Sequence, residues 1–183
     1  EFCNLPKLNY LNLFRNSFSG VLPIDIGKMK SLKSITLTLN NFSGIVPNEI
    51  SMMSSLQNLN LSYNNFSGEI LNKVVLLPEI TSVVLIKNNF TGTIPIELII
   101  KPKMYDIRLS FNKFSGVIPG EVGRYLNLFL DNNNFEGCLS QELYELCSRT
   151  NRDLSNNPLL PWKGDLVEYR KTSGDPVEQI GAP

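Results

Sequence analysis

The chain has no histidine. That absence excludes Ser-His-Asp and Cys-His nucleophile pairs, histidine general bases and every metal site built on imidazole. Cysteine is nearly as scarce. Cys3, Cys138 and Cys147 supply neither a disulfide-rich scaffold nor a zinc site of four thiolates. Net charge is lacking too, because 17 Lys and Arg balance 17 Asp and Glu. A neutral chain offers no electrostatic case for binding nucleic acid or an anionic membrane surface. No apolar run approaches the roughly 18 residues needed to cross a bilayer. With neither a starting Met nor a signal peptide before Glu1-Phe2-Cys3, the sequence reads as a mature domain or a piece of a longer protein. A length of 183 residues allows one or two domains.

Leucine and asparagine are in excess: 27 Leu and 22 Asn make up more than a quarter of the chain. Such bias points to internal repeats. Asn16-Ser-Phe-Ser-Gly20, Asn40-Asn-Phe-Ser-Gly44, Asn64-Asn-Phe-Ser-Gly68, Asn88-Asn-Phe-Thr-Gly92 and Asn112-Lys-Phe-Ser-Gly116 recur every 24 residues. Asn133-Asn-Phe-Glu-Gly137 follows after 21 residues, and Asn157 after another 24. Apolar residues stand eight, five and three positions before each of the first six asparagines, from Leu8, Leu11 and Leu13 to Tyr125, Leu128 and Leu130.

This frame has a direct physical reading. The last two apolar positions alternate with period two, so each unit carries a short strand with one face buried. A lone unit cannot bury its apolar side, whereas stacked units share a continuous core. The recurrent asparagine must find partners for its amide, and Asn16, Asn40, Asn64, Asn88, Asn112, Asn133 and Asn157 are expected to form a buried ladder. The phenylalanine two residues later should form a spine beneath it. Pro23, Pro47, Pro95 and Pro119 favour extended turns over long helices on the return path.

The unit LxxLxLxxNxFSGxLPxxIGxM, seen at Leu8–Met29, resembles the plant-type leucine-rich repeat over about residues 5 to 160. That family includes ectodomains of receptor-like kinases and receptor-like proteins, and polygalacturonase-inhibiting proteins. The resemblance implies an α/β-type repeat fold: a right-handed solenoid, a parallel β-sheet on its concave face, and irregular or 3-10 turns on its convex face. Residues 1–157 are then the solenoid, six full repeats and a degenerate last unit, with 158–183 a C-terminal cap and linker. Three departures stand out. Gly120–Leu126 is three residues short, Leu71 replaces the usual proline, and Arg149 and Arg152 stand where buried leucines belong. In the last unit, Cys138 and Cys147 are placed to form a disulfide or to remain as free, small apolar groups.

Four N-glycosylation sequons occur. Asn41, Asn65 and Asn89 follow ladder asparagines and should be exposed at the sheet's edge, whereas Asn60 should point into the concave face. The resemblance implies an extracellular or cell-surface place. Without histidine, catalysis would require paired carboxylates, and Asp131 and Asp153 should lie on adjacent strands. Arg108 lies nearby and no apolar pocket is evident, so we read them as solvated charges and expect no enzyme, no metal and no cofactor. The binding reading rests on the outward columns of the sheet. Tyr63, Lys87 and Phe111 share one column, with Arg108, Phe129 and Asp131 close by. Aromatic rings beside cations are the composition of protein interfaces. We therefore expect an extracellular recognition module for a protein, peptide or cell-wall polysaccharide. The alternatives are an inhibitor of a secreted polysaccharide hydrolase and a structural spacer.

Overall fold

A computed structural model describes residues 5, 7–124, 127–137 and 153–157. The N-terminal Cys3, the Cys138–Cys147 pair, Arg149, Arg152 and residues 158–183 lie outside the described residues. Within them each repeat makes one coil of a solenoid. Strands Tyr10–Asn12, Ser34–Thr36, Asn58–Asn60, Ser82–Val84, Asp106–Arg108 and Asn127–Phe129 pair in parallel in chain order. Each begins at the residue expected from the periodicity. An isolated bridge, Phe129 to Asp153, carries the pairing into the seventh coil.

A second set of strands was not anticipated. Ser19–Gly20, Asn41–Ile45, Asn65–Glu69 and Asn89–Thr91 form a lateral parallel sheet, and Ser115–Val117 pairs with Asn134–Glu136. The Asn-Phe-Ser-Gly motif therefore extends the chain before bending it. Its phenylalanine faces inward and the flanking residues face out, as in the exposed, buried, half-buried order of Asn65-Phe66-Ser67. The glycine closing each motif has positive φ, such as +77° at Gly68, where a Cβ would also crowd Ile45 at 3.2 Å. On the return path, Pro23, Pro47 and Pro95 adopt extended backbone and precede single turns, Ile24–Lys28, Asn48–Met52 and Ile96–Ile99. Where Leu71 replaces proline, it becomes the first residue of a helical turn, Leu71–Val74, and its side chain is buried.

Between the sheets runs one core, with Leu37, Leu61, Leu85, Leu109 and Leu130 in register on successive coils. Phe18, Phe42, Phe66, Phe90, Phe114 and Phe135 stack beneath the ladder with centroids 5.9 to 6.4 Å apart. Those spacings fall in the favourable range for aromatic pairs. The ladder itself forms as expected. The Asn64 Nδ2 donates to the carbonyls of Leu37, Leu61 and Ser62, and its Oδ1 accepts from the Phe42 N–H at 3.0 Å. Asn40, Asn88, Asn112, Asn133 and Asn157 repeat this pattern. The first member differs: Asn16 is exposed, and among the described residues its side chain bonds only the carbonyls of Leu13 and Phe14, in its own coil. The three missing residues of the short step come from the return to the main sheet. Two residues separate the turn Gly120–Arg124 from its next strand, where five separate Ile24–Lys28 from Ser34–Thr36.

Candidate functional site

The outer face of the main sheet carries the candidate residues. Immediately before each ladder asparagine stands a rim residue, giving the column Arg15, Leu39, Tyr63, Lys87, Phe111, Asn132 and Asn156. All seven have positive φ, between 53° and 60°. This left-handed conformation turns the strand into the ladder and holds the rim side chain outward. It is unfavourable for any residue with a Cβ and worst for β-branched ones. The column contains no Val, Ile or Thr, a signal the sequence held and periodicity alone overlooked.

Two aromatic–cation pairs lie on this face. The Lys87 ammonium sits over the Tyr63 ring, 5.5 Å from its centroid. The Arg108 guanidinium lies over Phe129 at the same distance. The two cations differ in how their charge is balanced. Arg108 Nε donates to Asp106 Oδ1 at 2.9 Å, and Ser82 Oγ donates to the other oxygen of that buried carboxylate. Among the described residues Lys87 has no carboxylate within ion-pair distance. Phe111, the next rim residue, is 50% exposed. Lys87 thus leans on Tyr63, while Phe111 stands open beside it.

Asp131 is not the solvated charge expected. Only 6% of its surface is exposed. Its carboxylate accepts from the Ser110 hydroxyl and from Asn132 Nδ2, so it is a buried linker between coils. Ser62 and Ser110, in the same column, are also buried. The position does not itself bury a side chain, since Phe14 in the same column is 51% exposed; Asp131 is covered by the neighbours it bonds, Ser110 and Asn132. Asp153 accepts the backbone N–H of Ser155 at 2.9 Å. Among the described residues no group of three or more metal-ligating side chains could hold an ion, and no helix is long and apolar enough to cross a membrane.

Beside the rim, a shallow depression of about 370 Å³ opens between the two sheets. Tyr63, Lys87, Asn41, Asn65 and Asn89 line it, above the ladder asparagines. Sequence reading placed the three sequon asparagines at the sheet's edge. It did not foresee that they would share one hollow with Tyr63 and Lys87.

The leucine-rich-repeat family model matches residues 6–66. No curated protein matches the sequence at a significant level. Among solved structures, the chain is similar to the Arabidopsis receptor kinase HAESA in complex with the peptide hormone IDA and the co-receptor SERK1. Identity is 30% with a TM-score of 0.79, over 89% of this chain and 27% of the matched one. It is also similar to the ectodomain of the Arabidopsis thaliana receptor kinase GASSHO1/SCHENGEN3 in complex with CASPARIAN STRIP INTEGRITY FACTOR 2. There identity is 34% with a TM-score of 0.73, over 88% of this chain and 20% of the other. A plant ice-binding protein matches at 27% identity and a TM-score of 0.68, covering 84% of this chain and 49% of its own. The chain thus spans between a fifth and a half of the length of these structures.

Proposed function

We propose that this leucine-rich-repeat chain is an extracellular recognition module that binds a peptide segment of a protein across the outer face of its main sheet. Binding rests on surface complementarity and involves no catalytic step. The observation that carries the reading is the pairing on that face: Lys87 on Tyr63 and Arg108 on Phe129, with Phe111 open beside them. The rings are semi-rigid, so they lose little side-chain entropy on binding and add apolar area. Lys87 supplies an uncompensated charge for an acidic group on the ligand. Arg108, already neutralised by Asp106, serves as a flat, fixed surface. Similarity to receptor kinases seen with a peptide hormone and with CASPARIAN STRIP INTEGRITY FACTOR 2 supports a peptide as the ligand class. The same fold also serves an ice-binding protein, so the choice rests on the surface and not on the fold.

The test uses protein produced without N-glycans and a displayed library of acidic peptides to select a binder. Tyr63→Ala, Phe111→Ala and Phe129→Ala are then set against Asp25→Ala and Lys28→Ala, which break only an exposed ion pair on the return side. Each of the first three should weaken the selected peptide by about 2 kcal/mol, roughly 30-fold in Kd. The last two should leave Kd unchanged. Equal losses in both groups, or none in the first, would refute the reading.

A further inference from the structure

The chain carries four sequons, and the structure separates them. Asn60 is tied into the main sheet, its Oδ1 accepting from Thr38 Oγ1 at 2.8 Å and from the Ser62 N–H at 3.1 Å. Asn41, Asn65 and Asn89 make no side-chain hydrogen bond among the described residues, and all three border the same depression. What stands two residues before each differs: Leu39, Tyr63 and Lys87. Only Asn65 has an aromatic ring there. Tyr63 and Asn65 flank the buried Asn64 in an exposed, buried, exposed order, so both side chains face outward into the hollow. Lys87 covers one face of the Tyr63 ring, and 42% of that residue's surface remains exposed.

We propose that Asn65 carries an N-linked glycan whose first N-acetylglucosamine seats in this depression against Tyr63. In the joining step the Asn65 amide nitrogen attacks C1 of an oligosaccharide held on a lipid diphosphate. The N–C1 bond forms, the C1–O bond to the diphosphate breaks, and the amide nitrogen loses one proton. The attached sugar presents C–H edges, weakly positive, to the negative face of the aromatic ring. The amides of Asn41 and Asn89 and the Lys87 ammonium offer donors to its hydroxyl and acetyl oxygens. A covalent tether places the sugar beside the ring at high effective concentration, so even weak contacts suffice to seat it. A seated glycan covers Tyr63 and Lys87 and leaves Phe111, Arg108 and Phe129 open. Glycosylation thereby sets which half of the recognition surface a ligand can reach.

The inference rests on the extracellular reading, because the chain must meet the glycosylation machinery. The experiment requires no peptide ligand, so its failure is separable from failure of the binding surface. The protein is secreted from a eukaryotic host and its glycans are trimmed to a single N-acetylglucosamine. Site occupancy is read by peptide mass spectrometry and the acetyl methyl resonance by NMR. Asn65 should be occupied, and its methyl signal should lie upfield of the free-sugar position through the Tyr63 ring current. That shift should vanish in Tyr63→Ala and in Tyr63→Leu, and persist in Tyr63→Phe. An unmodified Asn65, an unshifted methyl, or a shift that survives both ring-less variants would overturn the proposal.

Discussion

Two columns run side by side along the main sheet, the rim residues and the ladder asparagines. Tyr63 and Asn64, Lys87 and Asn88, Phe111 and Asn112 are immediate neighbours in the chain. The ladder position is one residue type at every coil, because a single side chain must donate to carbonyls of two coils and accept an N–H from the earlier one. Few side chains combine donors and an acceptor at that reach. The rim position holds Arg, Leu, Tyr, Lys, Phe and Asn, since nothing constrains it except a left-handed backbone. Hydrogen-bond accounting fixes chemistry, whereas a backbone conformation fixes only shape. The solenoid thus keeps its invariant and its variable residues in adjacent positions, and variation for recognition carries little risk to the core.

The sharpest way to break this contrast is at the ladder. Asn64→Ala should cost about 1–3 kcal/mol, since it strands the Phe42 N–H inside the protein and removes one of the two side-chain bonds to the Leu37 carbonyl, which keeps Asn40. Asn16→Ala removes a side chain that, among the described residues, bonds no other coil, and should cost about 0.5 kcal/mol or less. Denaturant midpoints of the two variants decide; equal losses would show that the ladder gains nothing from linking coils. At the rim, Lys87→Gly should be roughly 0.5–1 kcal/mol more stable than Lys87→Ala. Glycine adopts positive φ without a Cβ clash, which outweighs its greater freedom when unfolded. The same denaturation measurement reads this, and a more stable alanine variant would contradict the strained-rim account.

Lys73 supplies the smallest test, because it stands on neither column yet reaches across coils like a ladder residue. Its Nζ donates to the Val46 carbonyl, and burial pushes its pKa below the ordinary 10.5, opposed by the nearby Glu49 carboxylate. The unfolded chain therefore holds this proton more tightly than the folded one. Stability should rise as pH climbs from the lowered folded value toward 10.5, and the burial penalty should be fully present at neutral pH. Lys73 is partly exposed, so the effect is small. Thermal unfolding across that alkaline window should show the rise in the unmodified protein and a flatter profile in Lys73→Gln. Parallel profiles would mean that the ammonium gains as much from Val46 and Glu49 as burial costs it.

Much of this arrangement was legible in the sequence. The strands of the main sheet start where the period-two frame puts them, at Tyr10, Ser34, Asn58, Ser82, Asp106 and Asn127. The contact of Tyr63 with Lys87 follows from their sharing one column on adjacent strands, and so does that of Arg108 with Phe129. What escaped was conformation. The lateral sheet was hidden because Asn, Ser and Gly favour turns by composition, although Asn65, Phe66 and Ser67 alternate outward, inward and outward. The burial of Asp131 was missed because periodicity gives the face a side chain shares but not the neighbours that cover it, here Ser110 and Asn132. The buried Asp106 under Arg108 could have been found from their spacing of two residues on one face.

The ladder also has a direction. Each asparagine after Asn16 reaches back to the coil before it, so the Phe42 N–H receives its side-chain partner only from Asn64, 22 residues later in the chain. A ribosome makes the chain in that same order. Every coil therefore emerges incomplete and is sealed by its successor, one repeat behind the growing end. During synthesis the vulnerable part of this protein is always its newest turn, and a pause in translation would hold one row of backbone groups open to water until the next asparagine arrives.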